Sequence, residues 1–190
     1  YFDRIAERLA MPEYRPRALF ERFNIEVIAT TESPLDPLAS HEKIRQSGWT
    51  GRVVTAYRPD PVVDPDFDGF LANLAKFGEI TGCDVATWED YLAAHRKRRA
   101  FFKSYGATSS DHGHPTAATA DLPRADAEAL YAKVRSGKAN KAEAELFRVA
   151  EARVRVLQHL PPGRGPAPGV GDRHLAADPR GGRQRAAHPH

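Results

Sequence analysis

The segment 106–115 collects three titratable side chains behind a run of small residues. Asp111, His112 and His114 follow the letters GATSS and surround Gly113. In β/α proteins, groups that do chemistry commonly lie where an extended segment runs into a loop. A carboxylate and an imidazole at such a point suit proton transfer near neutral pH. The alternative is a simple turn, in which the aspartate hydrogen-bonds to its own backbone and the glycine supplies a positive φ.

A second candidate, Arg58, stands at the end of an apolar run. A guanidinium there can hold a carboxylate ligand through two parallel hydrogen bonds. The alternative is a structural ion pair between Arg58 and either Asp60 or Asp111. Asp60 is expected to orient the loop or the arginine and not to touch a ligand, and Pro59 fixes its own φ and ends the run.

Other polar residues have weaker claims on function. Thr30 and Thr31 end a predicted strand, where they could bind ligand hydroxyls or cap the next helix. His41 and His95 fall within predicted helices, have no partner at metal-ligand spacing and are expected on the surface. The single cysteine, Cys83, excludes an internal disulfide, suits a reducing cytoplasm and is interpreted as structural.

The elements that must position these residues alternate between strands and helices. Hydrophobic spacing and end signals predict the following segments: strands over 25–29, 52–57 and 106–110, and helices over 1–9, 16–23, 36–46, 67–80, 87–105, from Asp121 or Leu122 to Gly137, and from Lys138 onward. This alternation is typical of parallel β/α units. The basic run 96–99 is expected to be a solvated helix face.

Composition places the chain among ordinary globular proteins. It has 190 residues, of which 41% are hydrophobic, and a net charge of +3. No apolar run approaches the roughly 20 residues that cross a bilayer, and the first residues lack the pattern of a secretory signal. We therefore expect a cytoplasmic protein that binds neither membrane nor nucleic acid.

Several segments resemble the uronate (glucuronate) isomerase family in order and spacing. They are RALFERFN at 17–24, ATTESPLD at 29–36, VVTAYRPD at 53–60, GCDVATW at 82–88, RRAFF at 98–102, GATSSDHGHP at 106–115 and EAELFR at 143–148. The resemblance covers roughly the first 148 residues. It implies an α/β fold, namely an incomplete (β/α)8 TIM-type barrel of the amidohydrolase-like kind with helical insertions. Three predicted strands are too few for a closed barrel, which takes eight strands and about 250 residues.

The resemblance also implies an activity and roles for residues. The family interconverts an aldose and a ketose, taking D-glucuronate to D-fructuronate and D-galacturonate to D-tagaturonate in uronate catabolism. Asp111 and His112 are then the expected catalytic residues. Arg58, Thr30 and Thr31 are the expected binding residues for a small-molecule uronate.

A divalent metal, expected to be zinc, is also implied for the complete family enzyme. The family holds it with a His-x-His pair on the first strand and an aspartate on the last strand, and we recognise neither in this chain. The 112–114 pattern has the right letters but falls at the fifth strand, and His114 is expected to support or stabilise the site. No metal ligand is therefore assigned here. The complete enzyme is a candidate homo-oligomer.

Two alternatives stay open at this point. One is a metal-dependent hydrolase of the amidohydrolase type, which would share the barrel and use a metal-bound hydroxide. The other is a non-catalytic truncated remnant, and the isolated chain is expected to be inactive whatever the family.

The last 43 residues differ from the rest, so we predict a boundary between 1–147 and 148–190. The second segment holds eight arginines, no lysine and three acidic residues, a net charge of +5, with six prolines, six glycines and no Phe, Tyr, Trp, Ile or Met. Its non-native-looking composition fits a disordered tail or, as we prefer, a shifted reading frame. A basic tail that binds nucleic acid is a third interpretation, weakened by the absence of lysine and aromatic residues.

Overall fold

The computed structural model describes residues 1–113, 116 and 118–159, with side chains as far as Glu151. The chain divides into two compact units, Tyr1–Arg153 and Val154–His190. The elements are α1 (Phe2–Ala10), a 3-10 turn (Pro12–Tyr14), α2 (Pro16–Arg22), β1 (Ile28–Glu32), α3 (Ala39–Gln46), β2 (Val53–Tyr57), α4 (Asp60–Val63), α5 (Phe70–Thr81), α6 (Trp88–Ser104), α7 (Arg124–Arg135) and α8 (Lys141–His159). Within the described residues, no helix is long and apolar enough to span a membrane.

β1 and β2 form a parallel pair joined through α3, which confirms an α/β fold with parallel strands. Ile28 pairs with Val53 at one end of the register and Glu32 with Tyr57 at the other. A third segment joins on the far side of β2 through a parallel bridge between Tyr57 and Ser110. The carboxyl ends of two strands and of this third segment therefore meet at one edge.

Two of the predicted strands differ from the observed ones, for reasons visible in the backbone. The first begins three residues later than predicted, because the amide of Ile25 bonds to the carbonyl of Phe20 and closes α2. The strand predicted over 106–110 is reduced to the bridge at Ser110. The amides of Gly106 and Ala107 turn back to the end of α6, bonding to Lys103 and Phe102. The strand predicted over 52–57 is confirmed.

Several helices begin later than predicted, because side chains and caps occupy the residues before them. The amide of Leu38 bonds to Asp36 Oδ1 at 2.6 Å, and Leu38 adopts a left-handed φ of 57°, so α3 starts at Ala39. Asn140 and Glu143 form a reciprocal capping box at the start of α8, with bonds of 2.9 and 3.0 Å.

The short α4 was not predicted. Pro59 precedes it and Pro61 stands in its first turn, where the missing amide hydrogen is not needed.

The core of the first unit lies between the helices and the inner side of β2. Its aromatic members are buried and contact one another edge-to-face or in stacks: Tyr57, Phe77, Trp88, Tyr91, Phe102, Tyr131 and Phe147. Two phenols donate to backbone carbonyls, Tyr91 to Val62 at 3.0 Å and Tyr131 to Val85 at 2.7 Å. Each such ring stabilises the fold by about 1.5–3 kcal/mol through burial, and the two bonds tie α4 and the α5–α6 loop to the core.

Three side chains that we expected on the surface are buried. His41 and His95 do lie in helices, but they are only 8% and 0% exposed, because α3 packs against the sheet and α6 against the aromatic core. Arg98, in the basic run, is 7% exposed and donates to the carbonyls of Pro34 at 2.8 Å and Asp36 at 2.7 Å. Burial lowers the pKa of the Arg98 guanidinium. It serves as a tether between α6 and the loop after β1.

The predicted boundary at residue 147 falls inside α8, which runs without a break to His159. Arg148, Ala150 and Glu151 are buried. Residues 160–190, on which the interpretations of the tail depend, lie outside the described residues, as does His114. The boundary and the origin of the tail stay predictions.

Candidate functional site

Five polar residues lie together where the strands end, and we call them the polar edge: Thr31, Arg58, Asp60, Asp111 and His112. Their backbone positions follow from the sheet. The amide of Arg58 bonds to the carbonyl of Glu32 at 3.0 Å, and the amide of Asp111 bonds to the carbonyl of Tyr57 at 3.0 Å. Residues that are far apart in the sequence are thereby brought next to one another, as expected for parallel strands.

Arg58 and Asp111 form the central ion pair of the polar edge. Arg58 Nη2 donates to Asp111 Oδ2, and Thr31 Oγ1 approaches the same oxygen at 3.5 Å. The two charged side chains are 44% and 39% exposed. A solvated ion pair contributes little to stability, so exchanging one carboxylate for another on this arginine requires little free energy.

Asp60 lies beside this pair and is much less accessible. Its Oδ2 accepts a hydrogen bond from the amide of Gly113 at 2.9 Å and lies 3.6 Å from Arg58 Nε. Its Oδ1 lies 3.8 Å from His112 Nδ1. Asp60 thus contacts both the loop and the arginine, the two groups that the sequence analysis expected it to orient. The structural pairing of Arg58 is also observed, with both of the aspartates that we considered.

The turn alternative for segment 111–113 is correct in one respect and wrong in another. Asp111 Oδ1 accepts a hydrogen bond from the amide of His112 at 2.7 Å, so the aspartate does bond to the local backbone. Gly113, however, does not have a positive φ. A Cβ placed on it would lie 3.2 Å from Asp60 Oδ2, so the glycine instead permits the close approach of the loop to this carboxylate.

The two threonines do not cap the helix that follows them. That helix begins at Ala39, well after β1, and has no side-chain cap. Thr30 Oγ1 lies 2.9 Å from His41 Nε2 and donates to the carbonyl of Val54 at 3.3 Å. Thr31 instead points to the polar edge, through its contact with Asp111.

The sequence analysis did not predict a polar cluster next to the polar edge, formed by Glu32, Thr55 and His41. Glu32 Oε2 accepts a hydrogen bond from Thr55 Oγ1, and Glu32 Oε1 lies 3.8 Å from His41 Nε2. In the sequence, only the position of Glu32 indicates such a cluster, because Glu32 lies two residues after Thr30 and therefore on the same face of the strand. The position of His41 does not, since its contacts depend on how α3 packs against the sheet.

A second buried cluster supports the polar edge from the core. Tyr57 Oη and His95 Nδ1 are joined by a hydrogen bond of 2.8 Å, and His95 Nε2 lies 4.0 Å from Glu151 Oε1. All three side chains are almost fully buried. Since Tyr57 also pairs through its backbone with Ser109 and Asp111, the bond from α6 holds the residue that joins the two segments of the site.

The described residues do not provide a metal site. Within 1–113, 116 and 118–159, no group of three or more His, Cys, Asp or Glu residues is placed to hold an ion.

The parallel strands define the class of this molecule, an α/β protein whose titratable and ion-pairing side chains form a candidate site at the carboxyl edge of the sheet. The model of the family described as glucuronate isomerase matches residues 1–158. The chain belongs to that family, which confirms the resemblance drawn from the sequence.

Individual relatives agree with this assignment. The uronate isomerase of Rhizorhabdus wittichii is 69% identical over 147 residues, covering 77% of this chain and 32% of its own length. That of Rhizobium meliloti is 66% identical over 147 residues, covering 77% and 31%. The chain therefore spans about a third of the length of the curated relatives that it matches.

Two solved structures share the fold. The crystal structure of glucuronate isomerase from Caulobacter crescentus aligns with a TM-score of 0.76 and 50% identity, covering 83% of this chain and 33% of that one. The crystal structure of uronate isomerase from Thermotoga maritima aligns with a TM-score of 0.70 and 27% identity, covering 78% and 33%.

Proposed function

We propose that this chain supplies part of the active site of a uronate isomerase, which interconverts D-glucuronate and D-fructuronate and also D-galacturonate and D-tagaturonate. Family membership supports the reaction, and one observation in the chain supports the substrate class. The half-exposed guanidinium of Arg58 stands at the carboxyl edge of the sheet, paired with a carboxylate that is itself accessible. A uronic acid carries the carboxylate that such a group recognises.

In this proposal, Arg58 binds the substrate carboxylate. The incoming carboxylate replaces Asp111 on Nη2, while Nε keeps its contact with Asp60 at 3.6 Å. Binding and activation are then linked, because the same exchange releases the carboxylate of Asp111 from its ion pair.

Asp111 and His112 assist the proton transfers. Isomerisation removes the proton on C2 of the aldose and protonates the C1 oxygen, giving an enediol. Return of a proton to C1 and loss of the proton on the C2 oxygen then give the ketose. A carboxylate and an imidazole on adjacent residues can accept and return these protons. His112 is partly exposed, with 27% of its side chain accessible, so it can reach a ligand.

The threonines are proposed to bind substrate hydroxyls. Thr31 is the better placed of the two, because it is exposed and already lies near Asp111. The Thr30 hydroxyl is engaged with His41 and the carbonyl of Val54. Thr30 can therefore bind a substrate hydroxyl only if its own hydroxyl breaks one of these two contacts.

The finer properties of the complete enzyme are proposals from the family. They are a closed (β/α)8 barrel, a cytoplasmic location and a homo-oligomeric assembly. A divalent metal, in our expectation zinc, would polarise substrate oxygens. The described residues do not fit a three-ligand metal site, and no step above depends on one.

The proposal is tested in a chimera of the Rhizorhabdus wittichii relative, in which the matching part of this chain, without its Arg-, Pro- and Gly-rich end, replaces the 147 aligned residues. The chimera is expected to convert D-glucuronate to D-fructuronate, and the 190-residue chain alone is expected to be inactive. Arg58→Lys should raise KM about tenfold or more, since a lysine cannot form the two parallel hydrogen bonds.

Arg96→Lys is the matched control, because Arg96 is 49% exposed and also pairs with a carboxylate, Glu89, at 2.6 Å. It should leave KM unchanged. A chimera that melts cooperatively but has no isomerase activity would contradict the proposed function.

A further inference from the structure

We infer that Asp60 is a positioning residue that fixes both Arg58 and the loop carrying Asp111 and His112. The inference rests on the proposed function and adds a residue to its site. Asp60 is the one carboxylate among the described residues of the polar edge that is buried, with 8% of the residue exposed.

The backbone around Asp60 gives it a fixed position. It opens α4, a four-residue helix whose other members, Pro61, Val62 and Val63, are all buried. The phenol of Tyr91 donates to the carbonyl of Val62 at 3.0 Å and ties this helix to the core. The Asp60 carboxylate is therefore anchored to the core, where it can hold the groups that contact it.

Its two oxygens contact different parts of the site. Oδ2 accepts from the amide of Gly113 at 2.9 Å and faces Arg58 Nε at 3.6 Å, while Oδ1 faces His112 Nδ1 at 3.8 Å. The hydrogen bond to Gly113 sets the path of the loop just after His112. The absence of a Cβ on Gly113 allows this close approach.

This arrangement matters most when a substrate binds. Arg58 contacts Asp111 through Nη2 and Asp60 through Nε. If a substrate carboxylate takes the place of Asp111, the Nε contact still holds the plane of the guanidinium. The same carboxylate faces His112 Nδ1 at 3.8 Å and restrains the orientation of its ring. Asp60 thus acts on substrate binding through the arginine and on proton transfer through the histidine.

The test compares Asp60→Asn and Asp60→Ala in the chimera described above. The asparagine oxygen can still accept from the Gly113 amide but lacks the charge, whereas alanine removes both. We expect Asp60→Asn to raise KM for D-glucuronate and to lower kcat, each by about tenfold, since misplacement of about 1 Å can reduce rates up to a hundredfold. A merely structural role would lower the active fraction, and hence apparent kcat, without changing KM.

Two controls make the test specific. Asp66→Asn alters an aspartate that is 68% exposed, pairs with Arg148 and lies outside the polar edge, so kcat and KM should not change. In the double variant with Arg58→Lys, Asp60→Asn should add little to the rise in KM, because Asp60 acts on binding through Arg58. Unchanged kinetics in Asp60→Asn, or fully additive effects on KM, would overturn the inference.

A structural measurement separates this inference from the proposed function. Hydrogen exchange of the Gly113 amide, followed by NMR in the 190-residue chain, should accelerate in Asp60→Ala and not in Asp66→Asn. If the unmodified chimera is inactive, the proposed function fails. The exchange rate of the Gly113 amide then still tests whether Asp60 positions the loop. Faster exchange then supports its positioning of the loop, and unchanged exchange overturns it.

Discussion

Two arginines of this chain are each held by two aspartates, but in different surroundings. The contacts are those of Arg58 with Asp60 and Asp111 at the polar edge, and of Arg148 with Asp64 and Asp66 between α8 and the loop after α4. The Arg58 side chain is 44% exposed and the Arg148 side chain is 7% exposed. Both arginines pair with carboxylates, and they differ in exposure. The buried Arg148 stabilises the fold, whereas the exposed Arg58 is the arginine that we propose exchanges its partner for a ligand.

The carboxylates around Arg148 also determine its protonation. Burial lowers the pKa of the Arg148 guanidinium, but hydrogen bonds to Asp64 and Asp66 and the nearby Glu145 carboxylate outweigh burial and leave the pKa raised. Arg148 therefore stays charged while buried. Arg148 is the shared cation of these pairs, so its replacement leaves Asp64, Asp66 and Glu145 without it.

The largest effect on stability is expected from Arg148→Met. The change leaves Asp64, 23% exposed, without its cation, and removing one partner of a buried pair costs about 3–5 kcal/mol of unfolding free energy. Urea unfolding of the 190-residue chain measures it. Arg96→Met is the control and should cost less than about 1 kcal/mol, as surface pairs do. A loss for Arg148→Met no larger than that of the control would break the comparison.

A second comparison tests how burial affects the hydrogen bond of a tyrosine. Tyr57→Phe removes the 2.8 Å hydrogen bond between Tyr57 and His95 and should cost about 1–2 kcal/mol of unfolding free energy, as buried hydrogen bonds do. Tyr105→Phe is the matched control, since its phenol bonds at 3.1 Å to Glu42, which has 38% of its side chain exposed. Urea unfolding should show the larger loss at Tyr57. Equal losses would mean that burial does not set the value of these bonds.

Arg58→Met is expected to cost less than Arg148→Met, about 1 kcal/mol or less of unfolding free energy. Its pair with Asp111 is solvated, and the buried Asp60 keeps the hydrogen bond from the Gly113 amide when the arginine is removed. The measurement is the same urea unfolding experiment, beside Arg148→Met. A loss at Arg58 as large as that at Arg148 would contradict the view that the polar edge is an exchangeable site and would make Arg58 a structural residue.

The smallest effect is expected at an exposed pair far from the site. Hydrogen bonds from Lys133 and from the amide of Asn140 lower the pKa of Glu143 below its ordinary value of 4.5. A lowered pKa in the folded state stabilises the protein above the unfolded value, and this contribution disappears as the pH falls through the folded value. The difference in Tm between the unmodified chain and Glu143→Gln should therefore be greatest at neutral pH and shrink below pH 4.5. A Tm difference that grows as the pH falls would contradict a lowered pKa of Glu143 in the folded state.

Local signals predicted much of the fold. The strand over 52–57 is apolar and ends in Arg58 and Pro59, and the structure ends it there. Helix α6 has a threonine cap, with Thr87 accepting from the amide of Asp90 at 3.1 Å, and follows its periodicity closely. The start of α3 was misplaced because a turn at Asp36 competes with the helix.

The residue types of the candidate site could be named from the sequence, whereas their contacts could not, and the roles assigned to them stay predictions. Arg58, Asp111 and His112 stand at segment ends, where their residue types are informative. The burial of His41, His95 and Arg98 depends on packing between elements that are distant in the sequence, and no local pattern encodes it. Asp60 is an intermediate case, since its orienting role was expected but its contact with the Gly113 amide was not.

The double pairing of the Tyr57 backbone has a consequence for the order of folding. The β1–α3–β2 unit closes a short loop, whereas the contact of Arg58 with Asp111 joins residues that are 53 positions apart. Contacts of long sequence separation form late, because the entropy of loop closure must first be overcome. The polar edge should thus be the last part of the sheet to form during refolding. A slow kinetic phase would then report on the polar edge, and a fast phase on the β1–α3–β2 unit.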